Sequence, residues 1–436
     1  MQRPPSIECK RCDIAIIGAG AAGLAAAIFA GEAAAGSGLR IVLIESAKKP
    51  GAKILVSGGG RCNVTNNVVT DKDYWGGSPH TIRKVFDAFS NQDAIDWFHR
   101  IGVSLKREPS GKFFPKTDQA QTVLAALLNR VRELGVELVT GHRVTHLRSE
   151  TSGFVIEVRS ERAEGRRIHS RRVIVATGGL ALPKSGSDGV GLSLMQELGH
   201  TIVPTTPALT PLVLKRGPSI GGRFADFSGI TIEARLRLCR GDATRPLIEL
   251  DGSLVFTHFG ISGPVAMDLS RHWLRARLND PETPLRVLLG VPALKTIARA
   301  DEWLRQAADA HPRRLVATAL EELLPSRIAH ALAAAIGDRV ALSQLSRDQR
   351  RRLAGQLVET LLEVKGTRGY THAEATAGGV DLREIDWRTM ASRKVPGLHL
   401  CGEILDVDGR IGGFNFQWAW SSGYLAGRGA VATLRA

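Results

Sequence analysis

Near the start of the chain Gly18, Gly20 and Gly23 form a G-x-G-x-x-G directly after the apolar run Ile14-Ala15-Ile16-Ile17. Glycines at this spacing serve a definite chemistry. Gly18 permits a tight turn, Gly20 lets backbone N–H groups approach a pyrophosphate, and Gly23 lets the next helix pack closely on its strand. That helix, opening at Ala21 and Ala22, turns its N-terminus toward phosphate charge. A second apolar run, Ile41-Val42-Leu43-Ile44, ends in Glu45-Ser46, where an acid binds a ribose hydroxyl. The pattern predicts a dinucleotide site.

Four other stretches carry residues of the same kind. Lys53 leads into Gly58-Gly59-Gly60-Arg61-Cys62-Asn63. Three successive glycines lose much backbone entropy on folding, which makes sense where main chain passes close to something flat or charged. Arg61 is of the type that neutralises a pyrophosphate, and a cation beside Cys62 would lower its thiol pKa. Val173-Ile174-Val175-Ala176-Thr177-Gly178-Gly179 reads as a buried strand ending in small residues, the kind that returns to a dinucleotide in a doubly wound sheet. Gly397 to Glu403 is a strand ending in Gly402 and an acid, and Gly412-Gly413-Phe414-Asn415 opens a last small-residue helix.

Positioning these groups takes a chain of some size, and 436 residues suffice for two or three domains. Residues 13–45 read as strand, helix, strand. An amphipathic helix is expected from Thr81 to Ile101, a hairpin or loop from Lys106 to Lys116, a helix from Ala120 to Leu134 and a strand at Val136 to Val139. Val144 to Val158 and Arg166 to Val175 read as antiparallel strands around a turn holding Arg159, Arg162, Arg166, Arg167, Arg171 and Arg172, most simply a solvated face. Past Gly199 the texture becomes β-rich and proline-punctuated, then helical over 271–345, with Arg347, Arg350, Arg351 and Arg352 on a further helix. The expected fold class is α/β. A discontinuous Rossmann-like nucleotide domain (1–192 and 366–436) is interrupted by a β-barrel-like unit (193–270 and 346–365) and a small helical unit (271–345).

The formal net charge of +15 attracts polyanions in a salt-dependent way, although an Arg- and Ala-rich composition also raises it. Aromatic residues are only 5% of the chain, which argues against a broad base-stacking platform. No apolar run reaches membrane-spanning length and Met1 to Ser6 lacks a signal core, so a cytoplasmic protein without membrane association is expected. Cys9-x-x-Cys12 has no second pair at metal-site spacing, so no metal is expected, and Cys239 and Cys401 read as core residues.

Three motifs narrow the reading: Gly51 to Asn66, Phe256-Thr257-His258-Phe259-Gly260-Ile261-Ser262-Gly263-Pro264, and Gly412 to Gln417. Together they resemble the bacterial HI0933-like flavoproteins. The resemblance implies FAD, held by Gly18, Gly20, Ala21, Ala22, Gly23, Glu45, Ser46, Lys53, Gly58, Gly59, Gly60, Arg61, Cys62, Asn63, Val144, Ala176, Thr177, Gly178, Gly179, Gly402, Glu403, Gly412, Gly413, Phe414 and Asn415. It implies a transiently docking NAD(P)H, since no second nucleotide motif follows a strand. It also implies reduction of a C=C conjugated to a carbonyl, as in a family member acting on ribosomal RNA uridine or one acting on a bile-acid-pathway enone. Cys62 and His258 are the candidate acids. Three readings follow: reduction of a uridine in 23S ribosomal RNA, reduction of a small steroid-like enone, or a flavin-bearing RNA-binding protein without turnover. No oligomeric state is read from the chain.

Overall fold

The computed structural model describes residues 11–160, 163–337 and 339–435. Met1 to Ser6, Cys9 and Arg162 lie outside the described residues. The chain divides into two compact units, one of residues 1–206 with 374–436 and the other of residues 207–373.

The first unit is built on a parallel sheet. Its strands lie in the order Leu398–Leu400, Ala163–Val175, Arg11–Ile17, Ile41–Ile44, Glu137–Val139. Ile16 pairs with Ile174 on one side and Leu43 on the other, and Val175 pairs with Leu400. A parallel sheet is covered on both faces, which is why these strands are unbroken apolar runs. The expected antiparallel strands are present as Arg143–Glu150, Gly153–Ser160 and the long strand Ala163–Val175, whose far end enters the parallel sheet.

Two helices from opposite ends of the chain cover this sheet. Ala21–Ala33 is rich in alanine, and the C-terminal helix Phe414–Arg435 packs on it through Gly423 and Gly427. A Cβ on Gly423 would stand 2.8 Å from the Ala22 carbonyl oxygen, and one on Gly427 would collide with the Ala26 carbonyl. Glycines four residues apart on one helix thus let the two backbones touch.

The single helix expected from Thr81 to Ile101 is two, Pro79–Ala88 and Asn91–Arg100. Ser90 starts the second by a reciprocal cap: its Oγ accepts the Asp93 N–H at 3.2 Å, and its own N–H donates to the Asp93 carboxylate at 2.8 Å. The apolar spacing continues across this break, so periodicity alone does not reveal it.

In the second unit seven strands form one mainly antiparallel sheet, in the order Thr360–Leu362, Leu285–Gly290, Thr231–Arg240, Ile248–Thr257, Gly260–Ser262, Leu212–Leu214, Val364–Thr367. Ile232, Ala234, Leu236 and Leu238 alternate onto its inner face and share one core with helical residues such as Leu304, Leu332 and Leu357. Among the described residues no ladder joins the two ends of this path, so the expected barrel is an open sheet packed by helices. No helix among the described residues is long and apolar enough to cross a membrane, and no cluster of His, Cys, Asp or Glu there could hold a metal ion.

Candidate cofactor site

The glycine turn of the first unit has the geometry a pyrophosphate needs. The Gly18 N–H donates to the Ile44 carbonyl at 2.8 Å, and a Cβ on Gly18 would lie 2.6 Å from the Ala176 carbonyl oxygen. A Cβ on Gly23 would collide with the Gly18 carbonyl. At Gly20 the situation is opposite, because a Cβ there would meet nothing within 4 Å. The Leu24 N–H makes the first intrahelical bond, to Gly20 at 2.9 Å. The amides of Ala21, Ala22 and Gly23 therefore precede the hydrogen-bonded ladder and face the open side of Gly20.

Glu45 is buried at the end of its strand and is tied to this turn. One carboxylate oxygen accepts the Ala19 N–H at 2.7 Å; the other accepts the Ala47 N–H at 2.8 Å and the Ser46 hydroxyl at 3.1 Å. The carboxylate clamps the turn to the strand end, and its remaining lone pairs are available to a ribose. His142 donates its N–H to the Glu45 carbonyl at 2.9 Å, which brings the strand carrying Val144 alongside.

A second chain of contacts joins residues far apart in sequence. The Lys53 ammonium lies 2.8 Å from one Glu403 oxygen, and the other accepts the Thr376 N–H at 3.0 Å. The Thr376 hydroxyl in turn accepts the N–H groups of Leu180 at 2.8 Å and Ala181 at 3.0 Å. The loop after Gly178-Gly179 is thus set by residues from both halves of the unit. Gly402 donates its N–H to the Ser422 hydroxyl at 2.9 Å, and its carbonyl accepts the Trp418 indole N–H at 3.1 Å, fixing it to the C-terminal helix.

At the start of that helix the Asn415 side chain makes two bonds to Gly409, accepting its N–H and donating to its carbonyl, both at 2.9 Å. Asn66 donates to the Gly412 carbonyl at 2.9 Å, and Tyr74 donates to the Phe414 carbonyl at 2.8 Å. Sequence reasoning missed Thr376, Asn66 and Ser422. Thr376 sits in the glycine-rich segment Ala375 to Val380 and Asn66 closes the Gly51–Asn66 motif, and those were the available signals.

The triple glycine keeps its backbone left-handed, with φ of +56°, +69° and +85° at Gly58, Gly59 and Gly60. The residues after it differ from expectation. Arg61 does not face a phosphate: its guanidinium pairs with Glu108 at 2.7 Å and Asp118 at 3.4 Å and lies 3.9 Å over the Phe114 ring. The Cys62 thiol is completely buried, and burial pushes its pKa up to about 12, against a smaller opposing effect of its bond to Ser57. The expected lowering by Arg61 is reversed because desolvation outweighs an adjacent cation whose charge is already matched. A thiol with no exposed surface has no path to a reacting atom, so Cys62 is a packing residue and not the acid. His258 is exposed and belongs to the other unit, on the turn before Gly260–Ser262.

Glu374 is another titratable group whose pKa is shifted. Its side chain is exposed, yet the protein mass around it pushes its carboxyl pKa up despite the opposing fields of Lys112 and Lys53. Lys112 runs beside Gly412 and Lys53 pairs with Glu403, so the two cations that act on Glu374 belong with the C-terminal glycine segments.

A dinucleotide fits this set of groups. The Asn63 Oδ1 and Thr177 Oγ1 atoms are buried without a hydrogen-bond partner, one beside Gly413 and the other after the strand that meets the glycine turn. Buried polar atoms are nearly always satisfied, so these two orphans, one beside Gly413 and one beside Gly191, suit polar ligand atoms.

Residues 12–429 match the family model described as the HI0933-like protein Rossmann domain. The ribosomal RNA dihydrouridine synthase of Escherichia coli K12 is 32% identical over 97% of this chain and 99% of its own length. The 3-dehydro-bile acid delta(4,6)-reductase of Clostridium scindens is 35% identical over 96% of this chain and 98% of its own. Among solved structures, a 3-ketosteroid-delta4-(5alpha)-dehydrogenase from Rhodococcus jostii RHA1 superposes with a TM-score of 0.51 at 14% identity, covering 99% of this chain and 100% of that one. That likeness concerns the fold.

Proposed function

The chain belongs to the HI0933-like family and is a flavin-dependent oxidoreductase, and we propose that it uses NAD(P)H to reduce a uridine of 23S ribosomal RNA to dihydrouridine. The observation that carries this reading is the near-full-length similarity to relatives named ribosomal RNA dihydrouridine synthase from two organisms. The net charge of +15 suits a polyanionic substrate, and such a substrate places the protein in the cytoplasm.

FAD, when bound, would supply the hydride for the electrophilic alkene carbon, C6 in uracil. The chain does the rest. The amides at the start of Ala21–Ala33 and the helix dipole would hold the pyrophosphate, and Glu45 would hold the ribose. Lys53, Glu403 and Thr376 fix the loop after Gly178-Gly179. The start of the C-terminal helix, braced by Asn415 and Asn66, would supply positive potential to a bound flavin ring. Glu374, whose carboxyl pKa is raised by desolvation, would deliver the proton to the carbon next to the one that receives hydride, C5 in uracil.

The test is direct. The purified protein is incubated with NADPH or NADH and with ribosomal RNA from cells lacking this gene, and dihydrouridine is mapped. A new dihydrouridine at one position is the expected result. The 35% identity to a bile acid reductase favours a second reading, a small steroid-like enone as substrate. Turnover of such an enone with no RNA product would establish it in place of the first. RNA binding without flavin reduction by either nucleotide would refute both.

A further inference from the structure

We propose that the edge of the second unit formed by Arg216, His258, Phe259, Arg368 and His372 is the docking surface for a single-stranded stretch of RNA. The inference rests on the ribosomal RNA reading above and locates where that substrate is gripped.

The strand Leu212–Leu214 organises this edge. Leu212 pairs with Ile261 on one side and Thr367 on the other, so the turn before Gly260 and the segment after Thr367 emerge together. Leu214 donates its N–H to the Phe259 carbonyl at 3.1 Å, and Arg368 donates its N–H to the Pro211 carbonyl at 3.0 Å. The side chains then converge. The Arg368 guanidinium lies 4.6 Å over the Phe259 ring, and one of its nitrogens is 2.7 Å from the His372 imidazole. The His258 ring stands edge-on to Phe259 with centroids 5.1 Å apart, and Arg216 donates to the His258 carbonyl at 3.2 Å. Arg216, His258 and His372 are exposed and Phe259 and Arg368 half-buried.

The aromatic ring and imidazoles beside its arginines, rather than charge alone, set this cluster apart from the basic stretches that stand out in the sequence, where Arg351 and Arg352 are likewise exposed. Many of those cations are already matched: Arg350 by Asp301, Arg143 by Asp188, Arg167 by Glu157, Arg171 by Asp13 and Lys106 by Asp118. Arg216 and Arg368 instead meet a carbonyl, an aromatic face and an imidazole, and neither is paired with a carboxylate among the described residues. The nearby Lys215 is neutralised by Glu363 at 3.1 Å and adds little. Two uncompensated guanidiniums beside an aromatic ring and two imidazoles complement a phosphate backbone with an unstacked base. A duplex offers no such base face, so the partner is single-stranded.

The test measures binding of the FAD-loaded full chain to a fluorescent oligouridylate and to a 23S ribosomal RNA transcript across a salt series. R216Q/R368Q is expected to weaken binding about tenfold or more and to lower the log–log salt slope by about 0.7 per arginine removed. F259L is expected to weaken binding severalfold with the slope unchanged, since stacking carries no counterion release. Flavin content and reduction by NAD(P)H are expected to stay at wild-type values and report that the variants are folded. RNA binding retained within twofold by R216Q/R368Q would overturn the assignment while leaving the ribosomal RNA reading in place. Loss of affinity for a steroid carboxylate, with RNA binding retained, would assign the arginines to a small acid instead. A wild-type protein that binds neither RNA would remove the substrate reading, and this surface with it.

Discussion

Lys53 and Glu403 are 350 positions apart, and their charged groups meet at 2.8 Å. Through Thr376 this contact reaches the Leu180 and Ala181 amides, so one ion pair registers four separate stretches of chain around the cofactor site.

Breaking the pair from the lysine side should loosen that registry. Lys53→Met leaves Glu403 partly buried, with 16% of its side chain exposed, and without its cation. A loss of about 1–2 kcal/mol is expected, between the values for exposed and buried pairs. Chemical denaturation of the apoprotein and FAD titration would measure it. Unchanged stability together with unchanged flavin affinity would show the pair to be ornamental.

The two glycines of the phosphate turn should fail in different ways. Gly20→Ala projects its methyl into open space, so the apoprotein should melt normally while FAD affinity drops about tenfold or more. Gly23→Ala drives a methyl into the Gly18 carbonyl and should destabilise the fold by about 2–3 kcal/mol. Melting curves with and without FAD separate the two. Normal FAD binding by a destabilised Gly20→Ala protein would contradict the site as drawn.

Glu374 must be protonated to act as a donor, so substrate reduction should decline as pH rises through its elevated pKa. Glu374→Gln should remove that limb and slow substrate reduction by about a hundredfold, leaving flavin reduction by NAD(P)H near its original rate. Rapid-mixing measurement of the two half-reactions decides the matter. Equal slowing of both would make Glu374 a flavin-binding residue.

His399 predicts an acid-sensitive fold. Burial holds its imidazole pKa down to about 4, with Arg172 opposing protonation and only partial relief from the Thr389 carbonyl at 2.8 Å. The unfolded chain takes up this proton near pH 6.5 and the native protein near pH 4. The contribution is therefore present above pH 6.5 and is lost as pH falls toward 4, on the order of 3 kcal/mol in all. Denaturation midpoints at pH 7 and pH 4.5 should differ less in His399→Gln than in the parent protein.

The helix contact at Gly427 is equally exposed to test. Gly427→Val should force the C-terminal helix away from Ala26, destabilise the first unit by about 2–3 kcal/mol and reduce retained flavin. A spectrum and melting curve matching wild type would mean the helices have room to part.

The cofactor half of the site was legible because its physics is local. Gly18, Gly20 and Gly23 are spaced for one turn, Glu45 ends the next strand, and each appears in sequence order as it is used. The contacts made by Arg61 and Cys62 were not legible. Whether a cation faces a phosphate or Glu108 and Asp118, and whether a thiol is wet or dry, depends on residues about 50 positions away. The second unit was misread for a similar reason. Short strands with turns announce an antiparallel sheet, but closure is a property of its two outermost strands, which here carry no ladder between them.

The packing of Phe414–Arg435 against Ala21–Ala33 also sets an order of events during synthesis. The first 206 residues leave the ribosome without the strand Leu398–Leu400 beside Ala163–Val175 and without the helix that packs on Ala21–Ala33. They must wait for the intervening 207–373 to be translated, on the order of ten seconds or more, before the covering strand and helix arrive. During that interval the nascent chain displays apolar surface that only its own last segment can hide. A chaperone that shelters the growing polypeptide would have its main task here, and premature termination anywhere before residue 398 would release a product unable to mature.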